Sequence, residues 1–446
     1  MVFEGREKIA IAGIGYVGLV AGVCFAAIGH QVTCLDVDQD KIDLCKKGIS
    51  PIYEPGLQEL LVKGLERGNL TFTTDVNLAY RGVSAIFIGV GTPEQADGSA
   101  NLSGIANVAR QIAETVEQDC LVVVKSTVPI GTNDKVEQFI RDFAKGNIRI
   151  EVASNPEFLA QGSAVHDTLQ AARIIIGTSS KWAEDILTKI YKPFGLPIVS
   201  VSRRSAEMIK YASNCFLALK ISYINDIANL CELVGADIQD VARGMSFDER
   251  IGARHLNAGI GFGGSCFPKD TKALEFLARQ HGYDLRTVKA AIDVNRAQKT
   301  ILVRKASSRL ISFTGLKIAA LGLTFKPGTD DLRESAAIDN ISFLLDEGAD
   351  VFAYDPVGRP GFERLFPQGQ HGTGRITYVA QPGDALKGAH ACFIFTDWQE
   401  IKEIMPQTYK QLMHTPLVFD GRNILSVKAM SDAQVEYYSI GRPGKN

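Results

Sequence analysis

The sequence predicts an α/β protein in which two doubly wound domains are joined by a central helical domain with one long helix. Over roughly the first 200 residues, short apolar runs alternate with stretches of helical periodicity, which is typical of a mostly parallel sheet covered by helices on both faces. Strand signals then stop, and residues 206–234 contain no proline or glycine and keep apolar residues at helical spacing. Strand-like runs return at residue 316, which predicts a second α/β domain.

The predicted elements follow one another in this order along the chain. The strands of the first domain are residues 8–12, 31–36, 85–90, 121–125, 150–154 and 173–177. The helical domain has the long helix at 206–234 and helical patterns at 273–279 and 287–310. The strands of the last domain are residues 316–321, 351–354, 390–395 and 417–419. The predicted domains are therefore residues 1–200, 201–311 and 312–446.

The composition excludes several classes of protein. Hydrophobic residues make up 46% of the 446 residues and charged residues 22%, a balance that favours a folded chain over a disordered one. Lys and Arg number 48 against 50 Asp and Glu, so there is no basic field for nucleic acid or an anionic membrane. The first eight residues lack the pattern of a secretion signal, and no apolar stretch reaches membrane-spanning length, so we expect a cytoplasmic protein. The eight cysteines and seven histidines are dispersed, which favours neither a metal site nor a disulfide framework.

A glycine-rich turn near the N-terminus predicts a dinucleotide site. Gly13, Gly15 and Gly18 follow the first predicted strand and open an apolar helix, as the GxGxxG pattern of a Rossmann-like domain requires. Asp36 ends the next strand, where a carboxylate accepts hydrogen bonds from an adenosine ribose. Because Asp36 repels a 2′-phosphate and no arginine follows it directly, the predicted cofactor is NAD rather than NADP. The alternative is a glycine turn that serves only packing, beside a surface aspartate.

Two further loops leave the carboxyl ends of predicted strands, the edge at which open α/β sheets bind ligands. They are Gly91-Thr92-Pro93 and Lys125-Ser126-Thr127-Val128-Pro129. Proline often ends strands, and serine or threonine often caps helices, so these loops taken alone only suggest a binding site.

The segment from Gly259 to Asp270 carries the strongest chemical signal. Its four glycines allow the backbone to approach a ligand closely and leave Cys266 without shielding neighbours. Lys269 can stabilise a thiolate at Cys266, and Asp270 can exchange protons with a partner. The alternative is a tight turn with an incidental thiol, which explains glycine and cysteine but not the whole string.

Seven segments together closely resemble the UDP-glucose 6-dehydrogenases, a family of nucleotide-sugar dehydrogenases. In chain order they are GIGYVG at 13–18, GTP at 91–93, KSTVP at 125–129, NPEFL at 155–159, AEMIK at 206–210, GFGGSCFPKD at 261–270 and FDGR at 419–422. The resemblance covers essentially the whole chain. It implies that a primary alcohol of a UDP-sugar, UDP-glucose, is oxidised to a carboxylate in two NAD-dependent steps, giving UDP-glucuronate.

The resemblance also implies a catalytic set. Cys266 is expected to add to the intermediate aldehyde as a thiohemiacetal, which a second NAD oxidises to a thioester that water opens. Lys210 and Asn214 are four residues apart on the predicted long helix and so share a face. Lys210 is expected to stabilise an oxyanion or act as a base, and Asn214 to hold a water. The remaining members are Asp270 for proton transfer, Thr127 for positioning water and Glu157 as the base for thioester hydrolysis.

The binding residues follow from the same resemblance. For NAD they are Gly13, Ile14, Gly15, Tyr16, Val17, Gly18, Asp36, Lys41, Thr92, Pro93, Thr127, Gln161 and Arg333. For the UDP-sugar they are Phe158, Leu159, Lys210, Asn214, Arg250, Asn257, Gly261, Gly263, Phe325, Lys326 and Arg422. Because Arg250 follows the helical domain and Arg422 a strand of the last domain, we expect the site to be assembled between domains and to close on its substrate.

Several alternatives stay open. Relatives commonly have a glutamate where this chain has Gln161, which leaves Glu157 as the local base. The same chemistry on GDP-mannose or a UDP-N-acetylhexosamine is the nearest alternative, and a catalytically silent dinucleotide-binding scaffold is the alternative of another class. The long helix is more apolar than one core face requires, so a homodimer is expected.

Overall fold

The structure is a computed structural model, and it describes residues 6–144 and 148–443. The chain divides into two compact units, Met1–Ser213 and Asn214–Asn446. Each unit contains one mostly parallel sheet flanked by helices. The predicted class of two Rossmann-like α/β domains with a central helical domain is confirmed.

The first unit is built on an eight-stranded sheet. Its elements are β1 Lys8–Ala12, α1 Tyr16–Ala27, β2 Gln31–Leu35, α2 Gln39–Lys46, α3 Leu57–Glu66, β3 Leu70–Thr73, α4 Val76–Tyr80, β4 Ala85–Ile88, α5 Ser103–Thr115, β5 Cys120–Val124, α6 Thr132–Phe143, β6 Ile150–Ser154, α7 Ala164–Leu169, β7 Ile174–Gly177, α8 Lys181–Tyr191 and β8 Ile198–Val201. The strand order is β3-β2-β1-β4-β5-β6-β7-β8, and every neighbouring pair is parallel except β6 and β7. Ala12 pairs with Leu35, so β1 and β2 end level and the loop after β1 lies beside the residue after β2.

A long helix, α9 Arg203–Val234, begins the helical region and contains 32 residues. At 1.5 Å per residue it is about 48 Å long. The other helices of this region are α10 Ile238–Ser246, α11 Phe267–Gln280, α12 Arg286–Lys299 and α13 Ile301–Arg309. The sequence predicted one helical stretch over 287–310, and the structure ends α12 and starts α13 on either side of Thr300.

The second unit has a seven-stranded sheet. Its further elements are β9 Lys317–Leu321, α14 Ala336–Asp346, β10 Asp350–Tyr354, α15 Arg359–Leu365, β11 Gly369–His371, β12 Gly374–Tyr378, α16 Pro382–Leu386, β13 Ala391–Ile394, α17 Gln399–Lys402, α18 Pro406–Leu412, β14 Leu417–Asp420, α19 Val427–Asp432 and β15 Glu436–Tyr438. The strand order is β11-β12-β10-β9-β13-β14-β15, with only β11 and β12 antiparallel.

All ten predicted strands are present within a residue or two of their predicted ends, but five strands were missed. Four of the missed strands, β3, β8, β11 and β15, are the edge strands of the two sheets. The fifth, β12, is the partner of β11. Central strands are buried on both faces and appear as continuous apolar runs, whereas edge strands are short and partly exposed and carry little of that signal. The three-domain boundaries at 200 and 312 stay a prediction. In the part of the chain that the structure describes, no helix is long and apolar enough to cross a membrane.

Candidate active site

The loop between β1 and α1 has the shape that a dinucleotide requires. A Cβ on Gly18 would overlap the carbonyl oxygen of Gly13, whereas a Cβ on Gly15 would have nothing within 4 Å. Gly15 caps α1 without a side chain, so the positive end of the helix is left open. Half-buried Asp36 accepts a hydrogen bond from the Ile14 backbone N–H at 2.8 Å and another from Asp38 N–H at 3.0 Å. These residues fit a pyrophosphate beside the helix and a ribose at Asp36.

A carboxylate that sequence reasoning missed anchors this loop. Buried Glu54 accepts hydrogen bonds from the hydroxyl of Tyr16 and from the backbone N–H groups of Gly162 and Ala164, the latter two at 2.7 Å. It therefore ties the predicted cofactor residue Tyr16 to the segment that follows Gln161. A single glutamate between two helices has no periodic signal, which explains why it was overlooked.

The loops 91–93 and 125–129 contact each other, as expected for loops at one edge of a sheet. The Thr92 hydroxyl donates to the carbonyl oxygen of Thr127 at 2.8 Å. The Pro93 carbonyl oxygen accepts a hydrogen bond from the backbone N–H of Asn101 at 2.8 Å. This bond holds the loop that follows Pro93. Lys41 of α2 is paired with Asp38 at 3.2 Å, close in sequence to Asp36.

The helix α9 carries a buried ion pair. Lys210 Nζ lies 3.0 Å from Glu157 Oε1, and both side chains are less than a tenth exposed. The second oxygen of Glu157 accepts the Leu159 N–H at 2.8 Å, which fixes the orientation of the carboxylate. The ring of Phe158 lies 5.5 Å from Lys210 Nζ and 3.9 Å from the Arg173 guanidinium. Two predicted catalytic groups and two predicted substrate residues are thus brought together in the first unit.

A second buried lysine lies near this pair. Lys125, at the end of β5, donates hydrogen bonds to Asn155 Oδ1 at 3.0 Å and to the Tyr191 hydroxyl at 3.3 Å. Burial lowers the pKa of Lys125 to about 8. Asn155 in turn donates to the carbonyl oxygen of Ile175 at 2.8 Å. The sequence placed Lys125 in a ligand-side loop but gave it no role, and it gave Tyr191 none either.

Cys266 is distinct among the eight cysteines, all of which lie in the described part of the chain. It is half-buried, whereas the other seven are buried. Burial raises the pKa of Cys24 and of Cys120 to about 12, so these thiols stay protonated. Cys266 instead forms the N-cap of α11, at the positive end of that helix. Ser265 Oγ lies 3.6 Å from its sulfur.

Glycines hold the segment before Cys266 against the rest of the second unit. Gly264 has a φ of +82° and lies against the ring of Phe325, which a Cβ at Gly264 would approach to 2.6 Å. Its N–H donates to the carbonyl oxygen of Arg333 at 2.7 Å. Two hydrogen bonds to Asp331 raise the pKa of Arg333, and Cys266 contributes further electrostatic stabilisation. The predicted cofactor residue Arg333 therefore lies in the electrostatic environment of the cysteine.

Asp270 lies one turn into α11 and is almost fully buried. One carboxylate oxygen accepts a hydrogen bond from Asn214 Nδ2 at 2.7 Å. The other lies 2.6 Å from Lys269 Nζ. The structure thus joins the predicted water-holding amide to the predicted proton-transfer carboxylate.

The predicted phosphate-binding arginines differ in their surroundings. Arg422 is half-buried and donates to the carbonyl oxygens of Phe395 and Phe325, both at 2.7 Å, and of Gly261 at 3.4 Å. This arrangement braces three segments that include two predicted substrate residues. The side chain of Arg250 is 89% exposed and is paired with Asp248 at 2.6 Å. Two further predicted substrate residues are Asn257, which is exposed, and Lys326, whose Nζ is 5.6 Å from the Phe325 ring centre.

Family models match three consecutive segments of the chain. Residues 7–195 match the NAD binding domain of the UDP-glucose/GDP-mannose dehydrogenase family, residues 204–297 its central domain and residues 319–427 its UDP binding domain. The chain belongs to the UDP-glucose/GDP-mannose dehydrogenase family. Family membership confirms the predicted resemblance, the oxidoreductase class and NAD as the cofactor.

Individual relatives of this dehydrogenase family are similar over their full length. UDP-glucose 6-dehydrogenase YwqF of Bacillus subtilis is 49% identical over 435 residues, which cover 98% of both chains. A UDP-glucose 6-dehydrogenase of Rhizobium meliloti is 45% identical over 443 residues, covering 98% of this chain and 100% of that one. A solved structure of a UDP-glucose dehydrogenase from the hyperthermophilic archaeon Pyrobaculum islandicum has a TM-score of 0.91 at 36% identity, covering 98% and 99% of the two chains.

Among residues 6–144 and 148–443, no group of three or more His, Cys, Asp or Glu is arranged to hold a metal ion. Gln161, where relatives were expected to carry a glutamate, is half-buried and lies directly before Gly162, which Glu54 holds.

Proposed function

We propose that this dehydrogenase oxidises UDP-glucose to UDP-glucuronate in two NAD-dependent steps through a thioester on Cys266. The observation that carries the proposal is Cys266 itself, the one cysteine of eight that is not buried, at the N-terminus of a 14-residue helix. A cysteine suits a four-electron oxidation because an aldehyde yields a second hydride only as a tetrahedral adduct, which a thiol can form. The relatives named UDP-glucose 6-dehydrogenases support UDP-glucose as the substrate.

The cofactor residues are assigned from the geometry of the first unit. The open N-terminus of α1 and the space beside Gly15 suit a pyrophosphate, and Asp36 suits the ribose hydroxyls. Thr92 and Thr127 hold the adjoining loops together. NAD, when bound, supplies the hydride acceptor for both oxidations.

Lys210 is proposed to stabilise negative charge at the reacting carbon, and Glu157 is proposed to accept a proton there. The Lys210 ammonium stabilises the oxyanion that develops as the primary alcohol loses its proton and as a thiol or water adds to the carbonyl. Glu157 accepts the proton of the water that hydrolyses the thioester. One oxygen of Glu157 accepts the Leu159 N–H, and the other lies 3.0 Å from Lys210 Nζ.

Cys266 forms the covalent intermediates. Its sulfur bonds to the aldehyde carbon to give a thiohemiacetal, and loss of a hydride from that carbon gives a thioester. Water then breaks the carbon–sulfur bond, releasing the carboxylic acid and the thiol. Asp270 is proposed to take up and return the thiol proton, with Lys269 and Asn214 holding its carboxylate in place.

The test is the number of NADH molecules formed for each UDP-glucose consumed to completion by the purified protein. We expect two, with UDP-glucuronate as the product. GDP-mannose and UDP-N-acetylhexosamines are assayed alongside. If one of these sugars gives two NADH and UDP-glucose gives none, the mechanism stands and the substrate is that sugar. If no NADH forms from any of the sugars, the proposed oxidation is wrong.

A pair of cysteine variants tests the thioester route. Cys266→Ala is expected to form no UDP-glucuronate and at most one NADH per UDP-glucose, because the aldehyde cannot form its sulfur adduct. Cys120→Ala is the matched control, since Cys120 is buried in β5 and its thiol stays protonated. Two NADH per UDP-glucose from Cys266→Ala would remove Cys266 from the mechanism.

We also propose that the protein is a homodimer that uses α9. Phe216, Tyr223 and Leu230 recur at intervals of seven residues on this helix, and each is more than half exposed. A stripe of large exposed apolar side chains of this kind favours association with a second copy. Light scattering coupled to size-exclusion chromatography is expected to give twice the chain mass for the wild type and a lower mass for Phe216→Lys/Tyr223→Lys.

A further inference from the structure

Four side-chain amides of the second unit surround residues 259–266, which we call the cysteine loop. Asn225 and Asn229 lie on α9, and Asn295 and Gln298 lie on α12. The spacings of four and three residues place each pair on one face of its helix. Asn229 Nδ2 donates to Gln298 Oε1 at 3.0 Å, which joins the two pairs. These four residues form a continuous amide ladder.

The amide ladder holds the cysteine loop at two points. At Gly259, the backbone N–H donates to Asn225 Oδ1 and the carbonyl oxygen accepts from Gln298 Nε2, both at 2.8 Å. At Phe262, Asn295 makes both bonds, because its Oδ1 accepts the N–H at 2.7 Å and its Nδ2 donates to the carbonyl oxygen at 3.0 Å. Asn295 thus pairs with Phe262 as a neighbouring strand would.

The contact with Asn295 continues to the nucleophile. The ring of Phe262 packs edge-on against the ring of Phe267, with the ring centres 5.8 Å apart. Phe267 is the first residue of α11 and directly follows Cys266. A Cβ on Gly261 would lie 2.5 Å from Asn295 Oδ1, so the loop needs a glycine there to lie against the amide. A displacement of Phe262 would therefore be passed on to Cys266.

The same displacement would move two predicted substrate residues. The Gly264 N–H donates to a carbonyl oxygen at 2.7 Å, and the Phe262 N–H is taken by the amide ladder. In the described part of the chain, the N–H groups of Gly261 and Gly263 take part in neither bond. Because Phe262 lies between these two glycines, its position sets the direction of both N–H groups.

Stability alone does not explain the amide ladder. Among the described residues, Asn225 Nδ2 and Asn229 Oδ1 are buried and have no hydrogen-bond partner. Polar atoms buried in this way lower the free energy of unfolding. The retained amides therefore favour a role in the geometry of the cysteine loop.

We propose that Asn295 is a positioning residue for the oxidation. It fixes Phe262 so that the N–H groups of Gly261 and Gly263 meet the UDP-sugar and the Cys266 sulfur meets the reacting carbon. Asn295 contacts the loop backbone and acts through it. The role rests on the proposed function, in which Cys266 forms the thioester.

The experiment compares kcat/KM for UDP-glucose in Asn295→Leu and Asn340→Leu. Asn295→Leu removes both bonds to Phe262 at similar volume, and kcat/KM is expected to fall roughly hundredfold, as for a misplacement of about 1 Å. Asn340 of α14 is the matched control, because it is fully buried and makes three bonds to backbone groups outside the cysteine loop. Asn340→Leu should lower the melting temperature as much and keep the wild-type kcat/KM well below that temperature.

A second variant tests the hydrogen bonds themselves. In Asn295→Asp, an ionised carboxylate still accepts the Phe262 N–H but repels the Phe262 carbonyl oxygen, whereas a protonated carboxyl group donates to that oxygen and restores both bonds. Burial raises the pKa of the introduced carboxyl group. The ratio of kcat/KM in Asn295→Asp to that in Asn295→Leu should therefore rise as the pH is lowered from about 8 to about 5.5. If the Leu variant does not fold, the wild type replaces it in the ratio.

Two results would overturn the proposal. One is an equal fall of kcat/KM in Asn340→Leu and Asn295→Leu at an equal loss of melting temperature, which would make the effect a general destabilisation. The other is a ratio for Asn295→Asp that does not change with pH, which would show that the bond to the Phe262 carbonyl oxygen has no effect on catalysis.

Alkylation of Cys266 separates this proposal from the proposed function. The other seven cysteines are buried, so iodoacetamide without substrate is expected to modify Cys266. The rate should rise several-fold in Asn295→Leu, because a released loop exposes the half-buried thiol, and stay at the wild-type value in Asn340→Leu. If the rates differ in this way but the wild type does not oxidise UDP-glucose, the proposed function fails and Asn295 still positions the loop. Equal rates in all three proteins would show that Asn295 does not position Cys266.

Discussion

Two aspartates occupy the same place in the two sheets and serve different ends. Asp36 follows β2 and Asp355 follows β10, and each accepts the backbone N–H of the loop after the neighbouring strand, from Ile14 and Leu323 respectively. Asp36 accepts one further backbone bond and is half-buried. Asp355 is buried and also accepts from Thr324, Val357, Gly358 and the Trp398 indole. The Asp36 carboxylate can therefore still accept hydrogen bonds from a ligand, whereas the Asp355 carboxylate is occupied by hydrogen bonds within the protein.

The loops beside the two aspartates explain the difference. In the first unit α1 begins at Tyr16, so three residues separate β1 from a helix N-terminus that faces open space. In the second unit residues 322–335 separate β9 from α14, and this long segment supplies two of the donors to Asp355, Leu323 and Thr324. The other donors come from the loops after β10 and β13. A strand–loop–helix pattern with an acid on the next strand therefore makes a dinucleotide site only where the loop is short and glycine-rich.

The largest effect that tests this comparison is expected from Asp355→Ala. It leaves several buried N–H donors without an acceptor, at 1–3 kcal/mol each, so the free energy of unfolding should fall by about 4 kcal/mol or more. Asp36→Ala is the matched variant. It should change the free energy of unfolding by about 1 kcal/mol or less and raise the KM for NAD about tenfold. Urea unfolding monitored by tryptophan fluorescence and NADH assays measure both. Equal losses of stability in the two variants would refute the division of roles.

Two cations, half-buried Arg422 and buried Lys125, sharpen the comparison. Arg422 in the second unit is held by three carbonyl oxygens, whereas Lys125 in the first has a pKa lowered by burial from 10.5 to about 8. Below pH 8 the lysine is charged in both folded and unfolded chains, and its burial cost is present in full. Between pH 8 and 10.5 the unfolded chain binds more protons, so the cost is progressively relieved.

Lys125→Met is therefore expected to stabilise the protein at pH 7 and to lose that advantage as the pH rises towards 10.5. The full linkage effect is roughly 3 kcal/mol, since each pKa unit corresponds to about 1.4 kcal/mol. Melting temperatures of the wild type and the variant at pH 7 and pH 10 provide the measurement. A constant difference between them across this range would show that the folded-state pKa is not lowered.

A smaller effect is expected from glycine substitutions in the two loops. A Cβ on Gly322 would lie 2.6 Å from the Thr396 backbone nitrogen, and its φ is +84°, so Gly322→Ala should cost about 2 kcal/mol. Gly15→Ala meets no neighbouring atom and should leave the melting temperature unchanged. Because the new methyl group occupies the space assigned to the pyrophosphate, Gly15→Ala should raise the KM for NAD. A normal KM for NAD in this variant would place the cofactor elsewhere.

The sequence was sufficient where a single short segment carries the information. The buried strands and the Gly13–Gly18 turn were predicted correctly, because apolar runs and glycine spacing are local features. The helix after Cys266 was predicted from residue 273 and begins at Phe267. Edge strands such as β11 were missed since partial exposure removes that local signal. Arg250 was predicted as a phosphate ligand, and the structure shows it exposed beside Asp248, so its role stays a prediction.

The sequence by itself determined the fold class and the cofactor type, because each depends on residue patterns within short segments of the chain. Only the tertiary structure decided which distant residues contact the loops of the predicted site. Lys125 meets Asn155 and Tyr191 from 30 and 66 residues away, and Glu54 reaches Gly162 from 108 residues away. Contacts over such separations arise from strand order and helix packing, which bring distant segments together without a local pattern to reveal them.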